Sequence, residues 1–223
     1  MKKESFISKI LIAFGIIILY IILEGVTAVV ADVYKTNNLL YTCISIAGSI
    51  LTIVVIAYLL RDKLKGQFKD FNENYKKYLP TAFKWWAIGF TLMFISNLVI
   101  NILILKGIAP NEDANRELIK LYPFYAITSA CVFAPITEEL LFRLNFKNIF
   151  KKRIPYILFT GLLFGSMHLI ASSSLIELIY IIPYGALGIA FGAIFYDTDN
   201  IYSSMCMHIF HNTLTILLIL SNL

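Results

Sequence analysis

The residues best suited to chemistry lie between Pro135 and Arg143, where two adjacent carboxylates, Glu138 and Glu139, interrupt an otherwise apolar run together with the arginine. Apolar sequence continues on both sides, so these groups are expected at the depth of a bilayer. Ionisable groups at that depth are costly and are typical of functional sites. The sequence therefore indicates a buried acid–base or ion-pair site on one helix.

Further polar groups lie in other apolar runs. The three histidines of the chain all do so, at His168, His208 and His211. His208 and Asn212 are one helical turn apart, so their imidazole and carboxamide side chains would point the same way. Glu139 and Arg143 have the same spacing and can form an ion pair. Histidine and asparagine are suitable hydrogen-bond donors to a developing oxyanion.

The composition is not that of an ordinary soluble domain. Of the 223 residues, 59% are hydrophobic and 15% are charged, and the long apolar runs are typical of a polytopic membrane protein. The net charge of +5 is concentrated in a few short segments, so it indicates topology rather than nucleic-acid binding. The three cysteines form no CxxC pair and are predicted to be small buried hydrophobes without a disulfide framework.

The apolar runs predict an all-α polytopic membrane helix bundle with seven transmembrane helices. A helix needs about 20 residues to cross a hydrocarbon core, and the seven runs approach or exceed this length. One additional re-entrant or split helix would make eight. The predicted spans are 6–30, 39–60, 83–106, 122–150, 154–170, 175–196 and 200–221.

The candidate polar residues are predicted to lie at similar depths. Glu139 and His168 lie about 18 and 21 Å from the nearest cytoplasmic ends of their predicted spans, at ~1.5 Å per residue. His208 and Asn212 lie about 12 and 18 Å from the start of theirs. Three helices thus bring polar groups to comparable depth, which favours a shared site over scattered polar residues.

The lysine and arginine counts predict the orientation. Three cation-rich segments, 2–9, 61–84 and 147–153, fall on one side if the N-terminus is cytoplasmic. Segment 61–84 is predicted to be a cytoplasmic basic loop, with an interfacial amphipathic helix as the alternative, and Pro80 is expected to separate it from the third span. The N-terminal apolar run is longer than a signal-peptide core and is predicted to be an uncleaved span.

The sixth predicted span is interpreted as a packing wall beside the site. Pro183 is followed by Gly188 and Gly192, a kink and a small-xxx-small pattern that favour close helix approach. The first span contains a lone acid, Glu24, for which the sequence indicates no partner.

Three motifs resemble those of the CAAX protease and bacteriocin-processing family. They are Glu138-Glu139-x-x-x-Arg143, Phe164-x-x-x-His168 and His208-x-x-x-Asn212. The members of this family are intramembrane glutamic endopeptidases, similar to the eukaryotic Ras-converting CAAX endopeptidase. Leu144 follows the motif arginine where the family usually has glycine. The resemblance covers about residues 122–216 and implies a protease core in 122–223, preceded by N-terminal helices and the basic loop in 1–121.

The resemblance implies a role for each acidic motif residue. Glu138 would be the general base that activates water for attack on a peptide carbonyl. Glu139, paired with Arg143, would orient the site. The implied mechanism needs no metal and no other cofactor.

It also implies roles for the other motif residues. His168 would position the water or carry a proton, and His208 and Asn212 would form the oxyanion hole. Phe164 is interpreted as aromatic packing against the site. His211 lies outside the motifs and is interpreted as structural or as a neighbour of the site.

The residues themselves leave other interpretations open. The acids and Arg143 would also serve as a structural ion pair, and His208 with Asn212 as a bridge between helices. Glu138, His168 and His208 form a ligand set that zinc hydrolases use, although no HExxH helix is present. A non-proteolytic membrane scaffold or immunity protein is the alternative from a different class of function.

The predicted function is hydrolysis of a peptide bond in a membrane-associated peptide or protein by glutamate-activated water. Its biological role would be peptide processing, bacteriocin immunity or surface-protein regulation. The expected partners are the lipid bilayer and the peptide substrate, and not nucleic acid. The lysine- and isoleucine-rich composition favours a bacterial cell membrane, with the N-terminus cytoplasmic.

Overall fold

The computed structural model describes residues 5–104 and 109–221, and every regular element in these ranges is helical. The prediction of an all-α protein is therefore confirmed. Side chains cap the first two helices, because Ser5 accepts the Ser8 N–H and Asn37 accepts the Leu40 N–H. The helices are α1 (Phe6–Asp32), α2 (Asn38–Leu59), α3 (Arg61–Leu64), α4 (Gln67–Leu103), α5 (Pro110–Leu121), α6 (Pro123–Leu144), α7 (Arg153–Met167), α8 (Ile181–Thr198, preceded by a 3-10 turn at Leu175–Tyr180) and α9 (Ile201–Leu220).

The described residues contain 6 helices long and apolar enough to cross a membrane, as expected for a multi-pass membrane protein. They are α1, α2, the stretch formed by α3 and α4, α6, α8 with its 3-10 turn, and α9. α7 is apolar but has 15 residues, about 22 Å, which is shorter than a bilayer core. The count of seven crossings therefore stays a prediction. Lys2, Lys3 and the predicted span end at 105–106 lie outside the described residues.

The basic segment 61–84 is largely helical, and the expectation that Pro80 separates it from the third span is wrong. α4 runs from Gln67 to Leu103 with Pro80 inside it. A proline within a helix removes the hydrogen bond to the carbonyl four residues earlier, here that of Lys76. Because Lys76 and Pro80 are both exposed, solvent can satisfy this carbonyl and the helix tolerates the proline.

Two of the three cysteines are not buried. Cys43 and Cys206 are exposed, Cys131 is half-buried, and all three are free thiols. The prediction of burial is wrong for Cys43 and Cys206, because lipid solvates apolar side chains that a soluble protein would have to bury.

The chain folds into two compact units. The first is drawn from Met1–Lys65, Leu118–Lys151 and Ile209–Leu223, and it holds α1, α2, α3 and α6. The second is drawn from Gly66–Glu117 and Lys152–His208, and it holds α4, α7 and α8. α5 and α9 contribute residues to both. The predicted domain boundary after residue 121 stays a prediction.

In the first unit, α1 and α2 lie in close contact. A Cβ atom at Gly48 would collide with the side chain of Thr27. The rings of Tyr41 and Tyr122 stack with their centroids 3.6 Å apart, and the Tyr122 hydroxyl donates to the Lys35 carbonyl at 2.9 Å. These contacts attach the start of α6 to the α1–α2 pair.

In the second unit, glycines bring α7 and α8 into backbone contact. A Cβ atom at Gly161 would lie 2.6 Å from the Ile189 nitrogen, and one at Gly188 would lie 2.7 Å from the Gly161 oxygen. Gly165 faces Gly185 in the same way, at 2.9 Å from its nitrogen. The glycines of the sixth predicted span indicate a close helix approach, and this approach is present. It places Phe164 and His168 beside α8.

One aspartate joins three helices in the second unit. Asp197 near the end of α8 accepts from Arg153 Nε at 2.8 Å and from Arg153 Nη2 at 3.0 Å. It also accepts from Trp85 Nε1 of α4 at 2.8 Å. The Arg153 guanidinium lies 5.0 Å from the Trp85 ring centroid, so the start of α7 and the end of α8 are held against the middle of α4.

The glycine contact predicts opposite effects for two matched substitutions. Gly161→Ala should lower the free energy of unfolding by about 1–3 kcal/mol, because its methyl group meets backbone atoms of α8 that cannot move aside. Gly15→Ala on α1 meets nothing within 4 Å and should be neutral or stabilising, as alanine is the better helix former. Unfolding in mixed detergent micelles measures both, and equal stabilities would contradict the prediction.

Candidate active site

The two candidate glutamates lie on α6 between two π-helical turns. The α-helical segment Ala134–Glu139 is preceded by a π turn at Ser129–Phe133 and followed by another at Leu140–Leu144. In the second turn the Asn145 N–H reaches back five residues, to the Leu140 carbonyl at 2.9 Å. π turns inside α-helices are rare and frequently occur at functional sites.

Pro135 explains the placement of Asn212. The Ala134 N–H donates to the Ser129 carbonyl. This bond joins residues that are five apart. In the same pattern the Ala130 carbonyl would accept from residue 135, but Pro135 has no N–H to donate. The Asn212 side chain on α9 supplies the donor, with Nδ2 2.8 Å from the Ala130 oxygen. Asn212 therefore bridges α9 to α6 within the first unit.

Glu139 and Arg143 are paired, as their spacing predicts. Arg143 Nε lies 3.5 Å from Glu139 Oε2, and both side chains are 0% exposed. Glu138 is half-buried, because adjacent residues of a helix are rotated by about 100°. The two neighbouring acids therefore differ in burial, and Glu138 is the more accessible of the two.

Two residues that were not predicted from the sequence fix the end of α6. Lys63 Nζ donates to the Leu144 carbonyl at 3.3 Å and to the Asn145 carbonyl at 2.6 Å, as favoured for a cation at a helix C-terminus. The buried Asn145 amide donates to the Ala13 carbonyl of α1 at 2.9 Å. Asn145 lies between Arg143 and Lys147 at the end of the apolar run, and Lys63 does not stand out in its basic segment, so the sequence offers no clear signal for either residue.

In the second unit, His168 directly follows the last residue of α7. Its Nδ1 lies 3.0 Å from the Phe164 carbonyl oxygen. Its ring stacks on Tyr184 of α8 with centroids 4.7 Å apart, and lies 4.5 Å from the Phe164 ring. The histidine is thus oriented by its own helix end and by α8.

His208 of α9 is buried in the same unit, with an exposure of 1%. Its ring stacks on Phe191 at a centroid distance of 4.4 Å and meets Phe164 edge-on at 5.6 Å. Phe164, with an exposure of 1%, therefore contacts both motif histidines. The structure brings His168 and His208 to one aromatic side chain, as expected for the packing role of Phe164.

The predicted site residues are distributed over the two units. The first unit holds Glu138, Glu139, Arg143, His211 and Asn212, and the second holds His168 and His208. His211 is buried. Within residues 5–104 and 109–221, no three or more histidine, cysteine, aspartate or glutamate side chains are grouped so that they could hold a metal ion.

The bridge from Asn212 to Ala130 predicts a stability effect. Asn212→Ala should lower the free energy of unfolding by about 1 kcal/mol, because the Ala130 carbonyl loses its donor in an apolar environment. Thr215→Ala is the matched control, since the Thr215 hydroxyl donates within its own helix, to the His211 carbonyl. Denaturant titration in micelles compares the two variants, and an equal loss would show that the bridge contributes nothing.

Comparisons with known proteins cover the segment that holds all three motifs. Residues 120–214 match the family of Rce1-like type II CAAX prenyl endopeptidases, which confirms the resemblance seen in the sequence. An uncharacterized protein of Mycoplasma capricolum subsp. capricolum is 23% identical over 218 residues, a match that covers 89% of this chain. The chain spans only 63% of the length of that relative. No solved structure matches the chain.

Proposed function

We propose that this protein, whose residues 120–214 match a CAAX endopeptidase family, is an intramembrane endopeptidase that uses Glu138 to activate water. The observation that carries the proposal is the difference between the two acids of α6. Glu139 is fully buried and paired with Arg143, whereas Glu138 is half-buried. One carboxylate can thus support the site while the other takes up a proton.

In the proposed reaction, Glu138 accepts a proton from a water molecule while the water oxygen attacks the scissile carbonyl carbon. The carbonyl oxygen becomes an oxyanion, which His208 and Asn212 stabilise as hydrogen-bond donors. The C–N bond then breaks, and the proton held by Glu138 passes to the departing amine. The products are a carboxylic acid and an amine, so no metal or cofactor is consumed.

The hydrogen bond of His168 supports its proposed role. A carbonyl oxygen only accepts, so Nδ1 is the donor in the contact with Phe164 and Nε2 is the acceptor of the neutral ring. An imidazole with this tautomer can accept a hydrogen from water or carry a proton. The stack on Tyr184 holds the ring plane for that task.

Asn212 can combine its bridge with a catalytic role. A carboxamide nitrogen has two hydrogens, and the Ala130 carbonyl accepts one of them. The second is available for an oxyanion, as the resemblance implies. The bridge would then fix the direction in which that hydrogen points.

The proposed substrate is a membrane-associated peptide or protein that is cleaved within the bilayer. The long apolar spans favour apolar substrates that reach the protease through lipid. We place the protein in a bacterial cell membrane with the N-terminus cytoplasmic, because the cation-rich segments then share one side. Peptide processing, bacteriocin immunity and surface-protein regulation are the biological roles that fit such a substrate.

Comparative peptidomics tests the proposal. Membranes from cells that produce the wild type, Glu138→Gln or the matched control Glu73→Gln are analysed for new peptide termini. Glu73 is an exposed glutamate of α4. We expect a set of cleavage products in the wild type and the control that is missing with Glu138→Gln.

The alternatives give different results. A scaffold or immunity protein would retain its cellular phenotype and show the same peptides with Glu138→Gln, which would overturn the proposal. Products that disappear on chelation and return with zinc would identify a metal-dependent protease instead.

A further inference from the structure

The buried face of α2 is polar, although the helix as a whole is apolar. Its buried residues are Ser45, Ser49, Thr52 and Ile56. The first three are separated by four and three residues, so their hydroxyl groups follow one another along one face. We refer to Ser45, Ser49 and Thr52 as the hydroxyl column. Its position is unexpected, because the polar side chains of this helix face protein while its apolar side chains face lipid.

The hydroxyl of Thr52 has no hydrogen-bond partner among the residues that the structure describes. Thr52 is 1% exposed, and its Oγ1 atom is buried. At Thr91 and Thr215 the hydroxyl donates to the carbonyl four residues earlier in its own helix, but the Thr52 hydroxyl does not. Burying a hydroxyl without a hydrogen bond is costly, and bound water commonly satisfies such a group.

Contacts near both ends fix α2 beside α6 within the first unit. Near the start of both helices the rings of Tyr41 and Tyr122 stack with their centroids 3.6 Å apart. Just beyond the end of α2, Lys63 Nζ donates to the Leu144 carbonyl at 3.3 Å. The two helices therefore run in the same direction.

The middle of α2 therefore lies level with the middle of α6. Thr52 is eleven residues from each of the two contact residues on its side, and Phe133 is eleven from each of the two on α6. One π turn lies in each half of α6, so the two halves are alike. Glu138 follows Phe133 by five residues, about 7.5 Å along the helix.

Water molecules can bridge these distances. Neighbours in the hydroxyl column have Cβ atoms about 5–6 Å apart, and one water bonded to two oxygens spans about 5.5 Å. Two waters in series span about 8 Å, enough for the rise from Thr52 to Glu138. Ser45 and Ser49 also interact with the phenol groups of Tyr41 and Tyr125, so the waters would have several polar partners.

We infer that the hydroxyl column binds a file of water molecules that supplies Glu138 with the water consumed in hydrolysis. This inference rests on the proposed function of Glu138. Ile56, one turn beyond Thr52, is 0% exposed and apolar, so the column ends near the depth of the candidate base. It gives a role in the reaction to α2, which lies outside residues 120–214.

Water-edited solid-state NMR tests the hydration directly. It measures how fast magnetisation passes from water to each side chain of the labelled full chain in lipid vesicles. We expect the buried Thr52 to receive it severalfold faster than Thr91, which is exposed on α4 and faces lipid. Thr52→Val identifies the Thr52 signal by its loss. Equal or slower transfer to Thr52 would overturn the inference.

The kinetic test removes one hydroxyl and keeps the shape of the side chain. Thr52→Val should lower kcat by about 3- to 10-fold, the effect of one uncharged hydrogen bond. KM should change by no more than about twofold, since this hydroxyl binds water and not the substrate. Thr52→Ser, which restores a hydroxyl, should recover most of the lost rate. The assay uses the purified protein in lipid vesicles and the synthetic peptide whose cleavage depends on Glu138 in the peptidome comparison.

The matched control is Thr91→Val. It removes a hydroxyl that donates to the Ala87 carbonyl at 2.8 Å, and it should leave kcat within about twofold of the wild type. Melting temperatures separate water supply from a structural role. Thr52→Val should melt no earlier than the wild type, because it removes a buried hydroxyl that no described side chain or backbone group satisfies. A fall in melting temperature with an unchanged kcat would overturn the inference.

The results separate this inference from the function on which it rests. Full cleavage by Glu138→Gln would overturn the proposed function, and the supply of water to Glu138 with it. Loss of cleavage in Glu138→Gln together with full turnover in Thr52→Val would overturn only the role of the hydroxyl column.

Discussion

Replacing Glu138 by glutamine is expected to lower turnover by about 10²- to 10⁴-fold, the usual contribution of a general base. Glutamine has the same shape but cannot take a proton from water. Glu139 cannot substitute, because it is fully buried and paired with Arg143. Initial rates of the purified protein in vesicles, on the peptide from the peptidome comparison, measure the loss.

Three controls make this result specific. Glu73→Gln should keep the wild-type rate, and the melting temperature of Glu138→Gln should stay close to that of the wild type. Prolonged treatment of the wild type with a chelator should leave its rate unchanged, as expected for water activated by a carboxylate. A Glu138→Gln protein with more than about one tenth of the wild-type turnover would exclude Glu138 as the general base.

Replacing Arg143 by methionine is expected to have the largest effect on stability. Arg143 and Glu139 are both 0% exposed, so the single substitution leaves a buried carboxylate without its cation. Breaking a buried pair in this way costs about 3–5 kcal/mol, a large part of the 5–15 kcal/mol that stabilises a typical protein. Denaturant titration of the full chain in mixed micelles measures the loss.

The double variant Glu139→Gln with Arg143→Met is the decisive comparison. Removing both charges leaves no buried carboxylate without a cation. Replacing a buried ion pair by uncharged residues often changes the free energy of unfolding little. We therefore expect the double variant to recover most of the lost stability while it remains poor in turnover. If it is no more stable than Arg143→Met alone, the ion pair does not account for the effect.

The helical pattern and the ion pair could be predicted from the sequence because they depend on local spacing. Apolar runs long enough for a membrane predict helices, and a four-residue separation predicts the contact between Glu139 and Arg143. His168 and His208 stand out in the sequence because polar groups are costly in such runs. The contact between Phe164 and His168 follows from their separation of one turn on α7, whereas the contact between Phe164 and His208 depends on the packing of α9 and is not contained in that spacing.

Other features depend on interactions that no local pattern contains. The π turns on either side of Glu138 have no signal in the local spacing. The bond from Asn212 to Ala130 joins segments that are distant in the sequence. Pro80 is typical of a helix end, yet α4 continues through it. The helix tolerates this proline because the Lys76 carbonyl, which loses its N–H donor, lies at an exposed position. The exposed cysteines show that hydrophobicity predicts insertion into lipid, but not which face of a helix contacts protein.

The contact between Asn212 and α6 makes Pro135 and Asn212 an epistatic pair. A backbone N–H at position 135 would give the Ala130 carbonyl a donor of its own and make the amide at position 212 redundant for folding. The cost of substituting Asn212 should therefore be smaller in a Pro135→Ala background. Among relatives, the two positions should covary, and a lineage that keeps the asparagine after losing the proline would point to selection for its second amide hydrogen.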